Sequence, residues 1–208
     1  MATLLTTTQQ ALGRDLLTQF PQLEGFVPGE GSLEPKLVMV SEAPGAVEAR
    51  VGHPFQGPAG TILDQWLTQL GLIRDEIYLT GAVRSRPYQL GPTGLKRDRK
   101  PTPAEIAASA PLLDVELSQL VDRLLVPLGN TGLQRLLGPK TKISAVHGRL
   151  LTQPIRRWSS DHQRFEWTEE DYRIWPLYHP SYSRRFKKIR PIVATDLAEL
   201  KAYLDSSD

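Results

Sequence analysis

Residues 37–60 read LVMVSEAPGAVEARVGHPFQGPAG, an apolar run that passes directly into a loop carrying two acids, a histidine, a phenylalanine and several glycines. Leu37–Val40 is short and rich in branched apolar residues, with Pro35 just before it and Ser41–Gly45 just after. That pattern predicts a buried strand ending in a turn. In open α/β sheets ligands bind at the carboxyl ends of the strands, so the polar loop is a site candidate on topology alone. Glu42 and Glu48 flank the turn, and Gly45 lets a ligand approach the backbone closely. Phe55, set between Pro54 and Gly57-Pro58, sits in a stiff loop instead of a helix face. Such a ring is either a stacking platform or a plug for the sheet edge.

Working outward, residues 6–20 predict a helix capped by Thr6, and 21–36 a connection rich in proline and glycine. Residues 61–71 have apolar positions at 62, 63, 66, 67 and 70, an amphipathic helix stopped by Gly71. Residues 77–80 are a second strand, followed by a basic loop over 81–100. Thr102 and Glu105 form a capping-box pattern for a helix over 101–122. A third strand over 124–129 has Pro127 near an irregular end, and a short helix follows over 131–137. Residues 140–170 are polar, hold Trp158 and Trp167, and allow a hairpin. A fourth strand over 173–178 delivers His179-Pro180-Ser181, and a helix over 194–204 ends the pattern. Four strands alternating with helices predict an α/β fold of three layers, α/β/α, around a central four-stranded parallel sheet. The expected organisation is one domain over 1–208, with 1–36 a helix and connection and 37–208 the core. Loops 41–49 and 179–185 then open on one edge and face each other across a cleft.

The 208 residues suffice for one domain with a substantial core. The absence of cysteine excludes disulfides and thiolate-ligated metal, so neither metal nor cofactor is expected. Net charge is only +2, but it is unevenly spread. Arg84, Arg86, Lys96, Arg97, Arg99 and Lys100 face Asp98 alone in one stretch, and RRFKKIR over 184–190 has no acid. Such patches suit a polyanion. No stretch is apolar enough to span a membrane, and no basic region precedes an apolar leader, so a cytoplasmic protein is expected.

The residues also carry a family resemblance. Glu42-Ala-Pro-Gly45, Glu48, Gly52-His-Pro-Phe55-Gln-Gly57-Pro-Ala-Gly60, Arg86-Pro87, Pro101-Thr-Pro-Ala-Glu105, Leu128-Gly129 and His179-Pro-Ser181, in that order, resemble the uracil-DNA glycosylase superfamily. The likeness spans about residues 36–204 and is nearest to the family 4 and 5 branches and their covalently trapping relative. It implies hydrolysis of the bond between a deaminated base and its sugar, with the target nucleotide flipped out of damaged DNA. Phe55 matches the aromatic that stacks on the base, and His179 the histidine that bonds the base carbonyl; as an alternative, His179 caps the strand end. Glu42 matches the acid that orients water or stabilises the sugar cation, or pairs with a loop arginine. Glu48 matches the side chain near C5 of the base, or is an exposed loop acid. Ala43 stands where other branches place a carboxylate. Ser181 is expected at a phosphate, Tyr182 or Arg184 as the wedge entering the duplex, and Arg184, Arg185, Lys187 and Lys188 as its charge, unless that run is a solvated helix end. A monomer acting on DNA is expected.

Besides Ala43, other departures qualify the resemblance. Family 4 proteins usually carry four cysteines for an iron–sulfur cluster; here Ser85 and Ser109 stand at two of those places and the first pair is missing. Gly81 replaces an asparagine whose amide commonly reads the uracil edge. The insertion over 90–100 lies where the trapping relative has a nucleophilic histidine, but no histidine occurs between His53 and His147, so covalent trapping is not expected. The rival expectation is a non-catalytic DNA-binding module that has lost base selectivity with Gly81. A phosphate-binding enzyme is disfavoured because the first loop lacks a G-x-G-x-x-G or Walker pattern.

Overall fold

The computed structural model describes residues 2–206. Its centre is Leu37–Ser41, whose four apolar side chains are fully buried and alternate between the two faces of a sheet. Leu37 and Met39 join one core, Val38 and Val40 the other. In chain order the elements are α1 (Thr7–Gln19), β1 (Leu23–Glu24), β2 (Glu30–Gly31), β3 (Leu37–Ser41), α2 (Ala46–Val51), α3 (Pro58–Leu70) and β4 (Ile77–Gly81). Then come β5 (Arg86–Leu90), β6 (Lys96–Asp98), α4 (Pro103–Ser118), β7 (Leu124–Pro127), α5 (Gly129–Leu137) and α6 (Ile143–Val146). The chain closes with β8 (Leu151–Ser159), β9 (Arg164–Ile174), α7 (Pro180–Arg185) and α8 (Arg190–Asp205).

The main sheet has six strands in the order β2-β4-β3-β7-β9-β8. Its central four, β4, β3, β7 and β9, run parallel, as the alternating pattern predicts. Two antiparallel edge strands extend it: β2 along β4, and β8 along β9. Helices α3 and α8 cover one face through Leu63, Trp66, Leu67, Val193, Leu197 and Leu200. Helices α4 and α5 cover the other through Leu113, Leu117, Leu133 and Leu136. Burying each such side chain is worth roughly 1.5–3 kcal/mol, so the two cores fix the sheet firmly. Among the described residues no helix is long and apolar enough to cross a membrane.

Several boundaries differ from the sequence expectation for identifiable reasons. The polar loop after β3 contains a short helix, α2, held by the Glu48 carboxylate at its first turn. The basic loop 81–100 is a hairpin, β5–β6, stitched by ion pairs that sequence alone does not reveal. The polar stretch 140–170 resolves into α6 and a long hairpin, β8–β9, so β9 begins well before residue 173. The segment 175–178 continues β9 only through isolated backbone bonds, since Pro176 has no N–H to donate. The fourth helix stops at Ser118 instead of Asp122, and the last begins at Arg190 instead of Ala194.

Candidate active site

Because β3, β4, β7 and the segment after β9 run the same way, their carboxyl ends gather on one sheet edge. A cleft of about 920 Å3 opens there, within the range of small-ligand sites and roomy enough for an extruded nucleotide. Its walls include Glu42, Ala43, Gly45, Glu48 and Phe55 from the first motif, Gly81 from β4, and His179, Ser181, Tyr182, Arg184 and Arg185 from the last. The two loops predicted to face each other do so. Lys187 and Lys188 lie one turn further on, exposed and outside this lining.

Phe55 adopts a left-handed backbone, φ 53°, which costs on the order of 1–3 kcal/mol for a non-glycine residue and persists only where the surroundings enforce it. Arg74 supplies that enforcement from outside the loop. Its guanidinium donates to the Phe55 carbonyl at 2.8 Å and pairs with Asp64 at 2.7 Å. From below, Gly60 is required: a Cβ there would stand 1.9 Å from the Phe55 carbonyl oxygen. The ring is thus fixed in the cleft wall, its centroid 6.1 Å from that of His179 and the planes only 24° apart.

Glu48 is buried and its carboxylate is consumed by the loop itself. The Gly57 N–H donates to Oε1 at 2.7 Å and the Gly45 N–H to Oε2 at 3.2 Å. A Cβ on Gly45 would stand 2.9 Å from Oε2, so the bare backbone there admits the acid. These contacts make Glu48 a brace that ties the strand end to the phenylalanine turn; the exposed loop acid considered from sequence is not what is found.

His179 caps α7. The Ser181 N–H donates to His179 Nδ1 at 3.1 Å, and the Ser181 hydroxyl lies 2.8 Å from the same nitrogen. A nitrogen that accepts carries no proton, so the ring proton sits on Nε2, the edge left for the cleft. Burial, helped by the nearby Arg185 charge, pushes the imidazole down to about 4, so it is neutral at physiological pH. The sign of the resulting pH effect is fixed. Between about 6.5 and about 4 the unfolded chain binds the proton and the folded one does not, so stability is full above 6.5 and falls as pH drops towards 4, by roughly 3 kcal/mol at most. Thermal unfolding at pH 7.5 and 4.5 should therefore show a larger loss in the wild type than in His179→Gln; equal losses would contradict the burial of a neutral ring.

Glu42, half-buried at the end of β3, accepts a hydrogen bond from the Thr131 hydroxyl in the first turn of α5. It makes no ion pair among the described residues, so the loop-arginine alternative is not realised. Gly129, at φ 75°, lets α5 start against His179; a Cβ there would stand 3.0 Å from the histidine Cβ. Both motif side chains are thereby referred to the same helix start. Thr131 was readable only as a helix-opening residue, since nothing in its neighbours marks Glu42 as its partner.

A second group missed from sequence lies under Gly81. Glu116, fully buried on α4, pairs with Arg84 and accepts from Thr80 Oγ1 at 2.6 Å and Tyr78 Oη at 3.0 Å. A buried ion pair persists only when its remaining valences are satisfied, and here two hydroxyls on β4 do so. The signal was present in the spacing: Glu116 falls on the apolar stripe Leu113, Leu117 and Leu120, where an acid requires a buried partner.

Tyr182 lies between Tyr178 and Phe186, with ring centroids at 5.7 and 4.6 Å, and packs on the core. Beside it Arg184 and Arg185 are exposed on the cleft rim, and Phe186 is 43% exposed. Ser85 and Ser109 are both buried, and the Ser109 hydroxyl has no hydrogen-bond partner among the described residues. Without a thiolate in the chain, these side chains do not fit an iron–sulfur cluster.

Comparisons with known proteins bear on this cleft. Residues 28–202 match the family model of the uracil DNA glycosylase superfamily. The chain is 32% identical over 181 residues to the type-4 uracil-DNA glycosylase of Thermotoga maritima, covering 86% of this chain and 82% of that protein. It is 28% identical over 194 residues to the type-4 uracil-DNA glycosylase of Archaeoglobus fulgidus, covering 86% and 87%. To the type-5 uracil-DNA glycosylase of Thermus thermophilus it is 36% identical over 126 residues, covering 53% of each.

Proposed function

This chain belongs to the uracil-DNA glycosylase superfamily, and from that premise we propose that it acts in DNA repair by hydrolysing the N-glycosidic bond of uracil or another deaminated base. The observation that carries the reading is the meeting of Phe55, His179 and Glu42 on the walls of one cleft. An extruded base stacks on Phe55, a contact worth about 1–3 kcal/mol. The Nε2–H of neutral His179 donates to a base carbonyl oxygen, where charge builds as the N1–C1′ bond breaks and its electron pair leaves with the base. Glu42, aligned by Thr131, faces the sugar that becomes electron-poor. It steadies that charge and orients the water whose oxygen bonds to C1′; that water gives up one proton to bulk solvent, and the departing base anion takes one up from solvent. Ser181, Arg184 and Arg185 hold the flanking phosphates, with Lys187 and Lys188 reinforcing the field.

Specificity rests on Gly81. Its Cβ position lies 3.0 Å from Ser41 Oγ and 3.5 Å from two carbonyl oxygens, and its backbone is not left-handed. An asparagine fits if the Ser41 hydroxyl turns aside. Gly81→Asn should therefore raise uracil release about tenfold relative to hypoxanthine or xanthine, the worth of about one good hydrogen bond. The test is single-turnover release from oligonucleotides bearing each lesion; an unchanged ranking would remove residue 81 from the base-reading position. Tight DNA binding with no release of any base would favour the binding-module reading instead.

A further inference from the structure

The hairpin β5–β6 takes no part in the chemistry above, yet it is the most deliberately braced feature on the cleft rim. At its foot, Arg86 is buried between two carboxylates, Asp98 at 2.6 Å and Glu24. Lys96 also reaches Glu24 and lies 4.2 Å over the Tyr88 ring, and Arg99 pairs with Glu105 at 2.6 Å. The foot belongs to the cleft: Pro87, Asp98, Arg99 and Lys100 line it, and Asp98 Oδ2 stands 3.8 Å from the Cβ position of Gly45. The chain is buried from Gly81 to Pro87 and exposed almost throughout 89–98. Three paired positions carry the ribbon, from Tyr88↔Asp98 to Leu90↔Lys96, so the tip reaches roughly 10 Å beyond its foot.

At that tip stand Leu90, 66% exposed, and Leu95, 69% exposed, the two most exposed large apolar side chains among the described residues. Arg97, exposed beside them, has no carboxylate partner among the described residues. A rigid arm that ends in two bare leucines, carries an unpaired cation and is rooted in the cleft wall matches a polyanion with apolar surface inside it.

We propose that β5–β6 is a second DNA-probing arm, which engages the duplex around the extruded nucleotide from the side of the cleft opposite α7. Arg97 meets a phosphate, and Leu90 and Leu95 press on the base step that extrusion leaves open, as apolar wedges do in bent DNA. A two-stranded ribbon also has the cross-section that a DNA groove admits. The arm is therefore a device for double-stranded substrate, with little to grip on a single strand. The proposal rests on the glycosylase reading of the cleft.

The test compares wild type with Leu90→Ser/Leu95→Ser, using one uracil oligonucleotide alone and annealed to its complement. Single-turnover uracil release should fall at least tenfold on the duplex and stay within twofold on the single strand. Affinity for the uracil duplex, read by anisotropy independently of release, should fall as well, and Arg97→Ala should lower the salt slope of that affinity by about one. Equal losses on both substrates, or no loss on either, would overturn the arm. If wild type releases no uracil while the tip variant still loses duplex affinity, the glycosylase reading fails and the arm stands.

Discussion

His179→Ala should lower the rate of base release by two to three orders of magnitude, about 3–4 kcal/mol, the cost of removing one preorganised donor from a developing anion. The variant also loses the acceptor for the Ser181 N–H, the N-cap of α7. A lost cap costs about 1 kcal/mol of stability, a few degrees in melting temperature for a chain of this size. The two effects separate cleanly, because at 25 °C a protein weakened by that amount remains folded and binds DNA. Single-turnover release and thermal unfolding measured on the same preparation decide the matter. A rate loss no larger than tenfold would reduce His179 to a helix cap. Since the ring is neutral down to about 4, the donor should be present throughout the physiological range.

Glu42→Gln is expected to lower release by a factor of about 10² or more while leaving duplex affinity within twofold, because the carboxylate acts on charge that exists only as the bond breaks. The Thr131 hydroxyl acts through the carboxylate it donates to, so Thr131→Val should cost less, about tenfold, through loss of alignment. A binding defect equal to the rate defect would mean that Glu42 shapes the ground state instead.

The sheet was legible because β3 declares itself: four consecutive apolar residues, buried on both faces, bounded by proline and a turn, describe a central parallel strand and little else. Phe55 and His179 were legible as motif residues, one in the stiff loop that follows β3 and the other at a strand end, and topology alone brings those loops to one edge. What sequence did not show were the partners. Glu48 reads as an acid facing the base or as an exposed loop acid, because the amides that engage it, those of Gly45 and Gly57, are backbone groups with no letter of their own. The β5–β6 arm reads as a basic loop because its hairpin is held by Glu24, more than sixty residues earlier. Tyr182 and Arg184 read alike as candidates for the wedge, and only the placement of Tyr178 and Phe186 on either side of Tyr182 shows its ring packed between them.

Mass-spectrometric detection of free uracil from a uracil-containing oligonucleotide, incubated with stoichiometric wild-type protein, tests this cleft chemistry outright. The cleft chemistry predicts one free uracil for each abasic site and no protein–DNA adduct. DNA bound tightly with the uracil still attached, or a covalent adduct in place of a free abasic site, would contradict it.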